Sequence, residues 1–91
     1  MIRLNVFIQV SDENRQALLN AAKQLVEISK GENGCVAYDL FASATRDDVY
    51  MICETWANPE VLAKHEQTEH FRTLVPEMER LGSLKLEKFN F

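Results

Sequence analysis

The stretch "CVAYDLFASATRDDVYMICETWA", residues 35–57, decides the fold of this chain. Two runs rich in branched and aromatic residues, 35–44 and 49–57, lie on either side of the polar tetrapeptide TRDD, residues 45–48. This pattern is typical of two strands joined by a tight turn. The segment therefore predicts a β-hairpin, and the elements before and after it determine how its sheet is completed.

The residues before the hairpin predict a strand and then a helix. "IRLNVFIQV", residues 2–10, alternates so that one face is wholly aliphatic, while Asn5 and Phe7 lie on the other face. Residues 11–31 show apolar side chains at helical spacing. The predicted buried stripe of this helix comprises Leu18, Ala22, Leu25 and either Ile28 or Ser29.

The residues after the hairpin predict two short helices and a last strand. Asn58 can cap a helix over residues 59–67. A second helix is predicted over residues 68–82, where Pro76 either kinks the helix or ends its first part. Residues 83–91 then close the chain as a strand.

The order of elements is β-α-β-β-α-β, with the second α unit broken in two. It predicts one α+β domain over residues 1–91 with the ferredoxin-like arrangement, in which four antiparallel strands carry helices on one face. The other face is left bare and bears Phe7. A chain of 91 residues buries a modest share of its surface. We therefore expect a homodimer whose two sheets pack face to face.

Composition excludes several classes of protein. The formal net charge is −4, and dispersed basic residues in an acidic chain argue against nucleic-acid binding. No apolar run reaches the roughly 18 residues of a membrane span, and the first ten residues lack a signal-peptide layout. Cys35 and Cys53 are too few for a disulfide framework, although the sequence is compatible with one disulfide between them. We expect a cytoplasmic protein that does not associate with membranes.

The rarest side chains are concentrated in residues 54–71, which contain the only tryptophan and both histidines. Glu54 and Trp56 share one face of a strand with apolar neighbours. A glutamate there either meets an arginine, sits near an exposed end, or lies in a cavity where it orients a ligand or a histidine. Trp56 and His65 either line a pocket between sheet and helices or fill the core.

A metal site at the two histidines is not expected. His65 and His70 are five residues apart, and they diverge by about 140° on a continuous helix. They converge only if the helix breaks between them, for which Thr68 is a candidate cap. A third ligand is not evident, and the spacing is not that of a zinc-protease helix.

The strand ending E-x-W, the histidine nine residues after the tryptophan and the following H-F pair resemble the antibiotic biosynthesis monooxygenase (ABM) family. "GCVAYDLF", residues 34–41, is similar to the second strand of that family. The resemblance covers nearly the whole chain. It implies a ferredoxin-like dimer with one pocket per subunit between sheet and helices. The matching residues are Glu54, Trp56, His65, His70 and Phe71.

The resemblance also implies an activity. Small quinol monooxygenases of this family oxidise phenols or quinols with O2 and use no flavin, haem or metal. His65 is then the base, because its ordinary pKa lies near neutrality. Glu54 accepts a hydrogen bond from an imidazole or a substrate hydroxyl. The predicted aromatic walls are Trp56, Phe71 and Tyr38, and His70 completes the pocket.

Three alternatives use the same residues. An isomerase of a phosphorylated sugar-like signal, similar to the autoinducer-2 phosphate-processing enzymes of this fold, would use His65, His70 and Arg72. A dimeric ligand-binding or stress module would hold ligands without turnover. The haem-degrading branch would use a first-strand asparagine with Trp56 and His65. Asn5 occupies that strand but lies opposite the aliphatic stripe, which weakens the haem interpretation.

Overall fold

The computed structural model describes residues 1–91 and contains four strands and three helices. The elements, in chain order, are β1 (Ile2–Gln9), α1 (Asp12–Ser29), β2 (Cys35–Ala42), β3 (Val49–Trp56), α2 (Pro59–Glu66), α3 (Glu69–Leu81) and β4 (Ser83–Asn90). The strands form one antiparallel sheet in the order β2-β3-β1-β4. The predicted ferredoxin-like α+β fold is confirmed.

The register of the sheet places a mixed row of side chains at its centre. Leu4 of β1 is paired with Glu54 of β3, and Glu54 is paired with Tyr38 of β2. All three are buried. Successive residues in a strand point to opposite faces, so this row lies on the same face as Trp56 and Ile52. This is the face that the helices cover.

The helices pack on that face as the apolar spacing predicts. In α1 the buried stripe includes Leu18, Ala22 and Leu25, and at its end the buried residue is Ser29, whereas Ile28 is half exposed. A serine at this position is buried because it faces the sheet, while the more apolar neighbour points outward. The α3 helix continues through Pro76, so the proline does not end it.

The caps of the second α unit explain why it is broken. The Asn58 side chain accepts a hydrogen bond from the Val61 N–H at 3.0 Å and begins α2. The Thr68 hydroxyl accepts from the Phe71 N–H at 3.3 Å and donates to the His65 carbonyl at 2.7 Å. One hydroxyl thus caps the start of α3 and the end of α2.

The uncovered face of the sheet differs from the covered one. Phe7, Met51 and Phe41 are register partners across β1, β3 and β2, and the two phenylalanines are 40% and 50% exposed.

Both cysteines are free thiols. None of the helices has the length and apolarity that a membrane crossing requires.

Candidate active site

A cavity of about 210 Å³ lies between the covered face of the sheet and helices α2 and α3. Its wall is mainly aliphatic and aromatic, with His65 and Glu54 as the polar groups that are also buried. An engineered apolar cavity of about 150 Å³ is enough to hold benzene. The cavity therefore has room for one substituted aromatic ring. Its apolar lining comprises Leu4, Val6, Leu25, Tyr38, Ile52, Leu62, Phe71, Val75, Met78, Leu84 and Leu86.

The His65 ring is held by aromatic neighbours. It is 1% exposed, and its centroid lies 4.5 Å from that of Trp56, 5.1 Å from Phe71 and 5.7 Å from Tyr38. The Trp56 ring is tilted by 34° against the imidazole, and the Phe71 ring meets it edge-on. These contacts fix the imidazole plane at the wall of the cavity.

The Glu32 carboxylate orients the His65 imidazole through its Nδ1 atom. His65 Nδ1 lies 2.6 Å from Glu32 Oε2, and His70 Nε2 lies 2.8 Å from the same oxygen. An ionised carboxylate only accepts hydrogen bonds, so both ring nitrogens donate. The break at Thr68 turns the two histidines toward one point. The predicted divergence applied to a continuous helix, and the structure instead has the break with a Thr68 cap under which convergence was expected. The third group that was not evident in the sequence is Glu32.

The hydrogen bond at Nδ1 determines what Nε2 can do. In the neutral imidazole the proton is on Nδ1, so Nε2 carries a lone pair. Nε2 of His65 is buried and has no hydrogen-bond partner in the protein. Burial lowers the pKa of His65, although the Glu32 carboxylate opposes this shift. The neutral ring, with a buried and unpartnered acceptor at Nε2, is therefore the favoured form.

Glu54 is the second buried polar group of the wall. Its Oε1 accepts a hydrogen bond from Trp56 Nε1 at 2.9 Å. Burial raises its pKa to about 7, and the hydrogen bond from Trp56 only partly offsets this effect. Burial also raises the pKa of the neighbouring Tyr38 hydroxyl far above its ordinary value. Near neutrality the cavity thus holds a carboxyl group able to exchange a proton and a phenol that stays protonated.

The structure brings most of the predicted site residues together. Tyr38, Glu54, His65 and Phe71 line the cavity. Trp56 is completely buried behind His65 and supports it instead of forming the wall. His70, predicted to line the substrate pocket, lies outside this cavity, and its Nε2 is bonded to Glu32 instead.

The sequence interpretation missed Glu32, which lies between the predicted helix over residues 11–31 and the predicted hairpin from residue 35. Glu32 is held near α2 by its turn, because Gly34 adopts φ +89° and packs so closely on this helix that a Cβ would lie 2.5 Å from a Val61 side-chain atom. No spacing rule connects Glu32 to partners 33 and 38 residues away. The Thr68 cap was the available signal that the histidines converge, but it does not identify what they meet.

The charges around the cavity limit the ligands that fit. Its lining contains Glu54, Glu66 and Glu79, and no lysine or arginine. Arg72, the candidate cation for a phosphate, is exposed and does not line the cavity. A phosphorylated substrate would face carboxylates without a compensating cation. The lining instead suits a neutral ring whose hydroxyl can meet an acceptor.

The fold and the site together define the class of protein: a ferredoxin-like sheet with a ligand-sized cavity under its helices. The antibiotic biosynthesis monooxygenase model matches residues 1–77, and the chain belongs to this family. It is 32% identical over 87 residues to "Putative monooxygenase YcnE" of Bacillus subtilis strain 168, covering 96% of this chain and 92% of that protein.

Solved structures agree with this assignment. A Bacteroides thetaiotaomicron protein of unknown function, described as a possible oxidoreductase, is 56% identical, with a TM-score of 0.96 over 99% of this chain and 96% of that one. A structure described as an antibiotic biosynthesis monooxygenase is 26% identical, with a TM-score of 0.91 over 100% of this chain and 98% of that one.

Proposed function

We propose that this protein is a cofactor-independent monooxygenase that oxidises a single-ring phenol or quinol with O2. The observation that carries the proposal is the His65 imidazole: it lines an apolar cavity, its Nδ1 is bonded to Glu32, and its buried Nε2 has no partner in the protein. A base with this arrangement needs only a substrate hydroxyl to complete its hydrogen bonding.

The reaction begins with removal of a proton. His65 Nε2 takes the proton of the substrate hydroxyl, and the resulting anion is a much better electron donor than the neutral phenol. One electron passes to O2, and the radical pair recombines at a ring carbon that carries hydrogen, which gives a peroxide. Loss of water from this peroxide yields the quinone. One oxygen atom enters the product, the other leaves as water, and the substrate supplies all the electrons.

The remaining residues shape the environment of the anion. The aliphatic wall excludes water, so the anion and the imidazolium that forms beside it interact in a medium of low dielectric. Glu32, as a carboxylate on Nδ1–H, stabilises that imidazolium. Glu54 is suited to return or accept a proton, since its pKa is about 7. Tyr38 and Phe71 are the walls for the ring, and Trp56 keeps His65 in place.

We also propose that the protein works as a homodimer formed through the uncovered face of the sheet. Phe7, Met51 and Phe41 lie side by side there, and Phe89 is also half exposed on β4. A contiguous apolar row on a small chain indicates a contact surface. A second copy would cover it with the same row. The free cysteines support placing this dimer in the reducing cytoplasm.

Two other activities fit the cavity less well. Haem needs far more than 210 Å³, and Asn5 lies near Arg3 and Phe89, away from the cavity. A phosphorylated sugar meets the acidic lining described above. A binding module without turnover shares the same cavity, and the distinction between it and an oxygenase requires an assay.

The test is oxygen uptake with a panel of single-ring phenols and hydroquinones, each measured with and without protein, under air and under nitrogen. We expect uptake of one O2 per quinone formed, no product under nitrogen, and one labelled oxygen atom per product from ¹⁸O2. Lys64→Ala, on the exposed side of α2, serves as the matched control for His65→Gln. Saturable binding of these compounds without oxygen uptake would instead establish a binding module.

A further inference from the structure

Glu32, His65 and His70 form a cluster that the proposed oxidation only partly uses. They come from the turn after α1, from α2 and from α3, and one atom of each lies within 4.8 Å of the other two. His65 is almost completely buried, whereas the side chains of Glu32 and His70 are each 15% exposed. The cluster is therefore held on three elements and is reachable from solvent on one side.

The donor set of this cluster is one that zinc prefers. Two imidazole nitrogens and one carboxylate oxygen, with a water in the fourth position, make a common tetrahedral site. Ligand distances of about 2.0–2.1 Å place neighbouring ligand atoms about 3.3 Å apart in such a site. The carboxylate oxygen now lies 2.6 and 2.8 Å from the two nitrogens. The two oxygen–nitrogen distances would have to lengthen by about 0.7 and 0.5 Å to reach this spacing, and the third pair of ligand atoms already lies within 4.8 Å.

We propose that Glu32, His65 and His70 bind a divalent transition metal of the zinc type, and that the bound ion switches off His65 as a base. Coordination needs the lone pair on Nδ1 of His65. The ring proton must then move to Nε2, which changes from an acceptor into a donor at the cavity. The metal would thus act as a reversible inhibitor located outside the substrate cavity.

The two parts of this proposal are separable. Metal binding depends only on the geometry of the three side chains. Inhibition rests on the proposed function, because it requires that the Nε2 lone pair removes a substrate proton. The experiment therefore measures binding and tautomer directly and measures oxidation separately.

Binding is tested with Co²⁺ and Zn²⁺ on the full chain. We expect one Co²⁺ per chain with the intense visible bands of a tetrahedral site, and displacement of Co²⁺ by Zn²⁺. His70→Ala and Glu32→Gln should each weaken Zn²⁺ binding by at least about tenfold to a hundredfold, since changes even in outer-shell groups have effects of this size. Glu69→Gln, an exposed charge next to His70, should leave the affinity unchanged.

Folding is checked by circular dichroism, and His70→Ala decides the result if Glu32→Gln proves unstable. Binding that survives in a folded His70→Ala variant, or an absence of stoichiometric binding in the unmodified protein, would overturn the site.

The tautomer is tested by long-range ¹H–¹⁵N spectra of the histidine side chains. Without metal, His65 should carry its proton on Nδ1; with Zn²⁺ it should carry it on Nε2. In the oxidation assay, Zn²⁺ should lower the rate at least tenfold, a chelator should restore it, and His70→Ala should lose this response relative to its own metal-free rate. Bound Zn²⁺ with an unchanged tautomer or an unchanged oxidation rate would contradict the switch. Failure of all oxidation with an intact tautomer change would count against the proposed function and leave the metal site standing.

Discussion

The two faces of the sheet are built from the same four strands, yet they differ in which residues are out of place: buried polar groups on one side and exposed aromatic rings on the other. The covered face is mainly apolar, and its exceptions include Glu54 on the sheet and the buried polar residues His65 and Ser29 on the helices that pack against it. The uncovered face carries charged and polar side chains, and its exceptions are exposed aromatic residues such as Phe7 and Phe41. In each case the residue that breaks the pattern indicates an interaction.

This difference separates chemistry from assembly. Buried polar groups without full partners are costly, so a small core keeps them only where another group can meet them. Exposed aromatic rings lose nothing by being covered, so they favour contact with another surface. The covered face therefore predicts a substrate, and the uncovered face predicts a second copy of the chain. Substitutions on each face test whether the two roles are independent.

The largest expected effect is on the covered face, at His65. Replacement by glutamine keeps a group that can bond to Glu32 but removes the base. We expect kcat/KM for phenol oxidation to fall by about 10²–10⁴-fold, with the circular dichroism spectrum preserved. His65→Ala should lose as much activity and also some stability. A His65→Gln variant with full activity would assign the imidazole a structural role.

His70→Ala cannot serve as the neutral control in this comparison. His70 bonds to the same oxygen of Glu32 as His65, so its loss changes how His65 is held. Lys64→Ala is the better control, because Lys64 precedes His65 on α2 and its side chain is exposed.

The next effect concerns the pH dependence of stability, again on the covered face. The pKa of Glu54 is raised to about 7 in the folded state, so the folded protein holds this proton more tightly than the unfolded chain. The stabilisation is fully present below the unfolded pKa near 4.5 and is lost as the pH rises through about 7. Glu54→Gln stays neutral throughout.

The stability of Glu54→Gln relative to the unmodified protein should therefore increase between pH 4.5 and pH 8 by up to about 3 kcal/mol. Urea unfolding at a series of pH values measures this change. The exposed Glu60→Gln control should show a flat difference. A flat difference for Glu54→Gln would mean that its carboxyl group is not held in an apolar environment.

On the uncovered face, Phe7→Glu should weaken the proposed dimer. The glutamate is paired in register with Lys85, which allows the single chain to remain folded. Truncation of a central aromatic anchor typically costs about 2 kcal/mol or more of binding free energy. Light scattering at micromolar concentration should change from about twice the 10.5 kDa chain mass toward that mass. The control is Gln24→Lys, at an exposed position of α1, and this variant should remain dimeric. A monomeric unmodified protein would refute the proposal that the uncovered face forms a dimer contact.

The smallest expected effect is at Gly34, whose turn holds Glu32 against the helices. A side chain there meets Val61 and requires a left-handed backbone, which together cost about 1–3 kcal/mol. Gly31→Ala is the matched control, because its Cβ would lie 3.5 Å from the Ile28 carbonyl and meet only ordinary contact. Thermal unfolding should show a loss of stability for Gly34→Ala alone. Equal behaviour of the two variants would mean that the turn is not held by this close approach.

The fold was predictable because its signals are local. The alternation in β1, the Asn58 cap and the hairpin turn each depend on a few neighbouring residues, and the structure has all seven elements in the predicted order. The sequence did not decide whether Ile28 or Ser29 ends the buried stripe of α1, because helical spacing allows both. Only packing against the sheet determines that Ser29 is the buried residue.

The candidate site was predictable in part, for the same reason. Tyr38, Glu54 and His65 follow from strand and helix faces, and they do line one cavity. Glu32 could not be found, because its role depends on a turn meeting two helices that are distant in sequence. The acidic lining from Glu66 and Glu79 was likewise invisible, since it arises where α2 and α3 pass the cavity.

The central claim is that a substrate hydroxyl meets His65 Nε2 inside the cavity on the covered face. The most direct measurement is a crystal structure of the protein with a single-ring halophenol, grown under nitrogen so that no oxidation occurs. We expect the ring to lie between Tyr38 and Phe71, with its oxygen within about 3.2 Å of His65 Nε2. A halophenol bound only at the uncovered face, or one in the cavity with its oxygen directed away from His65, would show that His65 Nε2 is not the base.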